Sequence, residues 1–265
     1  MVAAERRIEA RGVRKSFVGS AGTVQVLDDV DVHVGRHEFV SLLGPSGCGK
    51  STLFNIVAGL EEPTAGVVSV DGHTVGRIGR CGYMPQKDLL MPWKTIAENV
   101  AIGRVVRGES KAQAKRGAVE ILERFGLGAF ADHYPSQLSG GMRQRAALAR
   151  TFLAGNDVLL LDEPFGALDS LTRLQMQSWL LHVWQESAAS VLFITHDVDE
   201  ALRLSDRVYV LTERPAKVAV TIDVDLARPR PYATVLTEGF ARLKAIAIAH
   251  LHTDEETPDL AGTDG

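Results

Sequence analysis

Long apolar runs are missing from this chain of 265 residues. No run approaches the ~18 apolar residues that a membrane-spanning helix needs. The opening segment, MVAAERRIEA, also lacks the apolar core of a secretory signal peptide. We therefore expect a protein of the cytosol that reaches a membrane only by binding a membrane protein.

The chain also has few cysteines and no excess of basic charge. Its two cysteines, Cys48 and Cys81, lack the paired spacing of a zinc site and are expected to be reduced thiols. The 29 basic and 33 acidic residues give a formal net charge of −4. No nucleic-acid partner is expected, because proteins that bind nucleic acids usually carry a basic surface.

The order of hydrophobic patterns predicts an α/β fold with two additional subdomains. Apolar and polar residues alternate in RIEARGVRKSF and TVQVLDDVDVHV, which is typical of half-buried antiparallel strands. GVVSVDGHTV is predicted to be a hairpin that turns at Asp71-Gly72. From about residue 88 to 152, apolar residues recur at spacings of three and four, which predicts an inserted helical subdomain.

Short apolar strands return after the helical segment. DVLLLD and SVLFITHD enclose the helix LTRLQMQSWLLHVWQES, which predicts a βαβ unit with parallel strands. RVYVLTE and VAVTIDVDL are predicted strands, and a helix is predicted over Thr237–Leu251. We expect residues 5–238 to form the main domain, and residues 239–265 to add this helix and a disordered acidic tail.

A phosphate-binding loop is the strongest motif in the chain. GPSGCGKS fits G-x-x-x-x-G-K-[ST] and stands between a predicted strand, EFVSLL, and a predicted helix, STLFNIVAGL. Its glycines allow backbone N–H groups to curl around phosphate oxygens at the positive end of a helix. Lys50 is predicted to reach the β- and γ-phosphates, and Ser51 to bind Mg²⁺. The expected phosphate-loop contacts are Gly44, Pro45, Ser46, Gly47, Cys48, Gly49, Lys50, Ser51 and Thr52.

Two carboxylates and a histidine follow predicted parallel strands. Asp162 and Glu163 end the first strand, in DVLLLDEP, and His196 follows the second. Ligands of open α/β sheets bind outside the carboxyl ends of the strands, so we expect these side chains beside the phosphate loop. Asp162 is predicted to meet Mg²⁺ through its water shell, Glu163 to polarise a water, and His196 to donate to the γ-phosphate.

A second glycine-rich helix start, LSGGMRQR at residues 138–145, has no lysine of its own. With Gln86 and GALDS at residues 166–170, the motifs resemble the ATP-binding cassette ATPases of ABC transporters over about residues 8–215. The resemblance implies their α/β fold, a P-loop NTPase core with an antiparallel β subdomain and an inserted helical subdomain. It implies ATP hydrolysis, with Gln86, Glu163 and His196 as catalytic residues, and Mg²⁺ held by Ser51, Gln86 and Asp162.

The resemblance also accounts for the missing lysine. Cassettes of this family dimerise head to tail around ATP, so that the signature of one subunit faces the γ-phosphate held by its partner. The implied contacts of this second half-site are Ser139, Gly140, Gly141 and the D-loop Asp169, while Phe17 corresponds to the aromatic that stacks on adenine. A plain core position is the alternative for Phe17. Met142 replaces the commonest glutamine of the signature, and we expect altered contacts there rather than lost activity.

YMPQKDLLMPWKTIAENVAIG and THDVDEALRLSDRVYVLTERPAKV are similar to the nitrate, sulfonate and taurine importers, a group with relatives that serve pyrimidine precursors. This similarity implies two copies at the cytoplasmic face of the membrane, on permease subunits fed by an extracytoplasmic solute-binding protein. The permease is expected to dock near Leu89, Leu90 and Trp93; packing of the helical subdomain is the alternative for this patch. An exporter ATPase and a non-transport cassette ATPase are the alternative functions.

Overall fold

The computed structural model describes residues 6–20 and 22–251. These residues form two sheets and a set of helices, joined by turns and short 3₁₀ segments. In chain order the strands and helices are β1 (Arg6–Gly19), β2 (Gly22–Gly35), β3 (Phe39–Leu43), α1 (Lys50–Ala58), β4 (Ala65–Val70), β5 (Gly82–Met84), α2 (Ile96–Val106), α3 (Lys111–Arg124), α4 (Gly140–Leu153), β6 (Val158–Asp162), α5 (Ser170–Glu186), β7 (Ser190–Thr195), α6 (Val198–Leu204), β8 (Arg207–Leu211), β9 (Val218–Asp223) and α7 (Glu238–Leu251).

The central sheet has the strand order β5-β6-β7-β3-β8-β9. All of its neighbouring strands are parallel except β8 and β9, which pair antiparallel. Every residue of β3, β6 and β7 is buried, as expected for parallel strands covered on both faces. The predicted βαβ unit is confirmed, because β6 and β7 pair in parallel across α5. The carboxyl ends of β3, β6 and β7 therefore lie at one edge.

A second, antiparallel sheet has the order β2-β1-β4. The prediction of a hairpin at β4 is correct for its turn and wrong for its second strand. Asp71 and Gly72 take the left-handed conformation, with φ of 49° and 76°, but the returning chain makes a single bridge, between Val70 and His73. Arg77 accounts for the divergence: it is buried and its Nε donates to the Ile56 carbonyl at the end of α1. The chain therefore leaves the sheet, and β4 pairs with β1 instead.

Helices α2, α3 and α4 lie in the segment that was predicted to be helical, and we call these three helices the helical subdomain. Helix α2 begins with a capping box, in which Thr95 and Glu98 each bond the other's backbone N–H. Buried residues of this subdomain share one apolar core with one face of the central sheet, including Leu161 and Phe193. The helices are therefore fixed to the sheet edge that carries the polar residues.

The C-terminal helix α7 packs against the other end of the sheet. Phe240 and Ala247 are fully buried beside residues of β3 and β8. The buried guanidinium of Arg230 donates to backbone carbonyls around α6 and after β9, and burial lowers its pKa to about 10. The predicted acidic tail from His252 lies outside the described residues.

None of the helices in the described part of the chain combines the length and apolarity that crossing a membrane requires. Cys48 and Cys81 are free thiols, and burial raises the pKa of Cys81 to about 12. Within residues 6–20 and 22–251, no cluster of three or more His, Cys, Asp and Glu side chains could hold a metal ion. A cation at the sheet edge would therefore need hydroxyl, amide or phosphate oxygens as well.

Candidate functional site

The loop after β3 has the shape of an anion cradle. Gly47 and Gly49 adopt φ of 78° and 129°, values that favour glycine. A Cβ on Gly49 would lie 2.8 Å from Val26 Cγ1 and 2.9 Å from Leu27 Cδ2, so close packing also requires glycine there. Gly49 is the N-cap residue of α1, and no side chain accepts a capping hydrogen bond from the N–H groups at the start of this helix. These donors remain available to an anion at the positive end of α1.

Lys50 bonds the backbone of its own loop. Its ammonium is buried and donates to the carbonyls of Gly44 at 2.7 Å and Pro45 at 2.8 Å. Cys48 is buried against an apolar core, and its Sγ accepts a long hydrogen bond from the Lys50 ammonium at 3.9 Å. A phosphate would replace the two neutral carbonyl acceptors of Lys50 with ionised oxygens, so that both partners of each bond would be charged.

A cavity of about 210 Å³ opens beside this loop. Its lining comes from the phosphate loop, the start of α1, the segment after β5, the end of β6 and the turn after β8. The lining residues are Ser46, Gly47, Gly49, Lys50, Ser51, Thr52, Gln86, Glu163 and Arg214. The sequence reasoning singled out all of these except Arg214.

Gln86, Asp162, Glu163 and His196 stand at or just after the carboxyl ends of β5, β6 and β7, and together we call them the polar edge. Glu163 lies at its centre. Its Oε2 accepts from Nε2 of Gln86 at 3.3 Å, and its Oε1 lies 3.5 Å from Nδ1 of His196. The backbone of Glu163 has a φ of 46°, which is uncommon for a side chain of this kind and is held by its N–H bond to the Ile194 carbonyl. Gln86 and His196 therefore both contact the Glu163 carboxylate, beside the cavity. These are the three residues that were predicted to be catalytic.

Asp162 is the buried carboxylate of the pair, with 2% of its surface exposed. Burial raises its pKa, and a hydrogen bond from Ser51 together with the charge of Lys50 opposes that shift. Carboxylate, hydroxyl and amide oxygens are the donor types that Mg²⁺ accepts, usually with only one or two carboxylates and several phosphate or water oxygens. The residues Ser51, Gln86 and Asp162 fit a magnesium ion on this chemistry.

The second glycine-rich helix start lies outside this cavity. The Ser139 hydroxyl caps α4 by accepting the Met142 N–H at 3.3 Å, and Gly140 and Gly141 form the first turn. A Cβ on Gly141 would lie 2.9 Å from Leu168 Cδ2, so this glycine allows α4 to approach the GALDS segment. Met142 is half-buried against the helical-subdomain core. None of Ser139, Gly140 and Gly141 is among the residues that line the phosphate-loop cavity.

Asp169 and Phe17 also stand outside the cavity. Asp169 caps α5, where its Oδ1 accepts the Thr172 N–H at 3.0 Å, and hydrogen bonding to Thr172 lowers its pKa. Phe17 is 42% exposed, and the Lys15 ammonium lies 4.8 Å from its ring centroid. The exposure of Phe17 contradicts the plain core alternative and leaves ring surface for another planar group.

The apolar patch after β5 divides into two parts. Leu89 and Trp93 are 62% and 73% exposed, whereas Leu90 is 8% exposed and packs in the helical-subdomain core. Leu90 is therefore corrected from a surface position to a packing one, since its side chain faces inward. Leu89 also lines an open groove of about 700 Å³, which runs from Leu60 past Gln86 to Arg150.

Helix α4 holds this patch through two arginines that the sequence reasoning missed. Arg150 donates to the carbonyls of Asp88 at 2.7 Å and Leu89 at 2.9 Å, while Arg143 Nε donates to the Asp88 carboxylate at 3.0 Å. Gln144 Nε2, on the same helix, donates to the Glu163 carbonyl at 3.4 Å. Only the spacing of seven residues between Arg143 and Arg150, about two helical turns, could have indicated that the two arginines share a face of α4. Helix α4 thus joins the patch to the polar edge.

Comparison with known proteins extends these observations. A family model described as ABC transporter matches residues 27–166, which contain the phosphate loop, Gln86, the signature and both carboxylates. The chain is 45% identical over 207 residues to a taurine import ATP-binding protein of Rhizobium johnstonii, covering 78% of this chain and 79% of that protein. It is 40% identical over 219 residues to an aliphatic sulfonates import ATP-binding protein of Bacillus cereus, covering 82% and 86%.

Solved structures show the same fold. A dimeric structure of a bacterial ABC transporter cassette matches with a TM-score of 0.76 and 31% identity, over 83% of this chain and all of that one. A dimeric post-hydrolysis state of the same cassette, bound to ADP and Pi, matches with a TM-score of 0.75 and 30% identity over the same shares. The predicted fold class is confirmed.

Proposed function

This chain belongs to the ABC transporter family, and we propose that it is the ATP-hydrolysing subunit of a solute importer. The observation that carries the proposal is the meeting of Gln86 and His196 on the Glu163 carboxylate beside a phosphate-loop cavity. The similarity to two import ATP-binding proteins favours import over the exporter and non-transport alternatives. Taurine and aliphatic sulfonates, named for those relatives, share a sulfonate group, and we propose a small anion of the nitrate, sulfonate and taurine type or a related small organic solute.

Nucleotide binding begins at the phosphate loop. The N–H groups of the loop and the Lys50 ammonium hold the phosphates of ATP, with Lys50 leaving the carbonyls of Gly44 and Pro45. Ser51, Gln86 and Asp162 line one groove and would hold Mg²⁺, which would supply positive charge to the phosphates. Phe17, exposed on β1, stacks on the adenine.

Hydrolysis needs a water aimed at the γ-phosphate. Glu163 accepts a hydrogen bond from that water and draws its proton away as the oxygen attacks. The amide of Gln86 and the imidazole of His196 fix the position of this carboxylate, and His196 donates to the γ-phosphate as negative charge shifts during the reaction. The left-handed backbone at Glu163 aims its side chain back over the cavity.

Further hydrogen-bond donors to the γ-phosphate come from a second copy of the chain. Ser139, Gly140 and Gly141 do not line the cavity of their own subunit, yet they form an uncovered helix N-terminus suited to an anion. The dimeric state of the similar cassette supports a head-to-tail pair in which the signature closes on the partner's γ-phosphate. Asp169 of the D-loop lies at the same interface in this arrangement. Hydrolysis removes the γ-phosphate and so weakens the dimer.

The groove beside Leu89 and Trp93 receives the permease at the cytoplasmic face of the membrane. An exposed tryptophan suits a protein partner, and the exposed Leu89, four residues before it, lines the groove. Movement of the docked element reaches α4 through the bonds of Arg143 and Arg150 to Asp88. Because α4 begins with the signature, docking and closure of the ATP site are mechanically linked. An extracytoplasmic binding protein supplies the solute to the permease.

Lys50→Ala tests the nucleotide site directly. Loss of the ammonium should weaken MgATP binding by about tenfold or more, because charge-assisted phosphate contacts disappear. Isothermal titration of the purified chain with MgATP measures this change. Thermal unfolding without nucleotide is the control, since Lys50 also bonds the loop carbonyls. An unchanged affinity would show that the loop does not hold the phosphates.

Trp93→Ala, combined with Leu89→Ala, tests the docking groove. We expect the isolated subunit to keep its ATP hydrolysis, because neither side chain lines the phosphate-loop cavity. Co-purification with the permease encoded by a neighbouring gene should be lost, since an exposed aromatic anchor dominates such contacts. Tyr232→Ala is the matched control, an exposed aromatic distant in sequence from the groove. Equal retention of the permease by both variants would place the docking surface elsewhere.

A further inference from the structure

The turn after β8 contributes Arg214 to the lining of the nucleotide cavity. Ala216 in this turn pairs with β2: its N–H donates to the Val26 carbonyl at 2.9 Å, and its carbonyl accepts the Asp28 N–H at 3.0 Å. Val26 also contacts the phosphate loop, since it closes the space beside Gly49. The turn is therefore fixed against the β subdomain and the phosphate loop at once.

Arg214, within this turn, reaches the loop itself. Its Nε donates to the Gly47 carbonyl at 3.2 Å, and its Nη2 makes a second, shorter bond to the same oxygen. The side chain is exposed and lines the cavity. Among the residues that line this cavity, Lys50 and Arg214 are the two that carry positive charge.

The charge balance of the cavity favours a second cation. Glu163 lines the cavity and Asp162 lies directly before it, so two carboxylates oppose Lys50 before any nucleotide arrives. A bound nucleotide adds several negative charges on its phosphates. A guanidinium carries five N–H donors in a planar fork, more than the Gly47 oxygen can use, and its geometry matches phosphate oxygens.

We propose that Arg214 is a phosphate-binding residue, which braces the loop at Gly47 and pairs with the phosphate oxygens of a bound nucleoside di- or triphosphate. The proposal rests on the nucleotide site proposed above. The loop residue that Arg214 contacts belongs to the part of the motif that cradles the phosphates shared by ATP and ADP. Arg214 therefore strengthens the binding of ATP and ADP alike, and contributes to retention of the product ADP after hydrolysis.

Two variants distinguish the effect of the Arg214 charge from the effect of its hydrogen bonds to the Gly47 carbonyl. Arg214→Gln can still donate to the Gly47 carbonyl but has no charge, whereas Arg214→Lys keeps the charge. We expect the Gln variant to weaken ATP and ADP binding by about tenfold each, and the Lys variant to keep most of the affinity. Lys217→Ala is the matched control, because it removes a cation of the same turn that pairs with Asp28 at 2.9 Å. This control should bind both nucleotides like wild type.

Isothermal titration with ATP and with ADP, at low and at moderate salt, measures these effects. The affinity of the wild type should fall more steeply with salt than that of Arg214→Gln, because one fewer ionic contact is screened. Wild-type affinity in the Gln variant, or equal losses in the Gln and Lys variants, would overturn the proposal while leaving the ATP site itself intact. A wild-type chain that binds no ATP would instead refute the proposed function.

Discussion

Glu163→Gln is expected to reduce steady-state ATP hydrolysis by at least about 100-fold, because the general base that polarises the water is lost. ATP binding should be retained, since the phosphate loop and Lys50 are unchanged. The variant should also accumulate as an ATP-dependent dimer, because the γ-phosphate that bridges two subunits is no longer removed. The substituted glutamine keeps a side-chain oxygen that can accept the hydrogen bond from Gln86. It must also adopt the left-handed backbone conformation that Glu163 has.

Phosphate release and size-exclusion chromatography with ATP measure both effects. Glu120→Gln, at an exposed position on α3, is the control and should behave like wild type. Turnover of Glu163→Gln at the wild-type rate would show that another group activates the water. A variant that is inactive and monomeric in ATP would show that closure, and not the chemical step, depends on Glu163.

Ser139→Arg should abolish turnover while each subunit still binds ATP. The arginine fills the space at the start of α4 that the partner's γ-phosphate must approach, but it lies outside the cavity of its own subunit. Loss of the cap itself costs only about 1 kcal/mol of stability. Ser110→Arg is a closely matched control, because the Ser110 hydroxyl caps α3 by accepting the Gln113 N–H at 3.3 Å, the same distance as in the Ser139 cap.

Mixing two inactive variants makes this experiment decisive. A heterodimer of Ser139→Arg and Lys50→Ala contains one site with an intact Lys50 and an intact Ser139. Random pairing of equal amounts leaves about a quarter of all sites intact, because half of the dimers are mixed and each has one good site. Hydrolysis should therefore return to as much as about a quarter of the wild-type rate. Failure to bind ATP by Ser139→Arg alone, or no recovery on mixing, would place the signature in its own subunit's site.

The local motifs could be predicted because each one is short and has a specific physical requirement. A phosphate loop needs glycines at left-handed positions and a lysine at the start of a helix, and the structure has Gly47, Gly49 and Lys50 in those roles. The burial of β6 and β7 was visible as apolar runs, and parallel pairing then places Glu163 and His196 at one edge.

Other features depended on which distant segments meet. The predicted hairpin after β4 failed because Arg77 is drawn to the end of α1. Leu89 and Leu90 are adjacent apolar residues of the same size, yet Leu89 is exposed and Leu90 is buried, because Leu90 packs into the core formed with helices α2, α3 and α4. Neither outcome can be predicted from the pattern of neighbouring residues in the sequence.

The sequence by itself determined the phosphate loop, the carboxylates and histidine at strand ends, and a signature without a lysine, because local backbone geometry and burial require those residue types. Only the tertiary structure decided that Glu163 is held by Gln86 and His196, and that Arg214 reaches Gly47 from 167 residues away. These contacts join residues far apart in the chain. Their existence therefore depends on the packing of whole elements, which no short stretch of sequence contains.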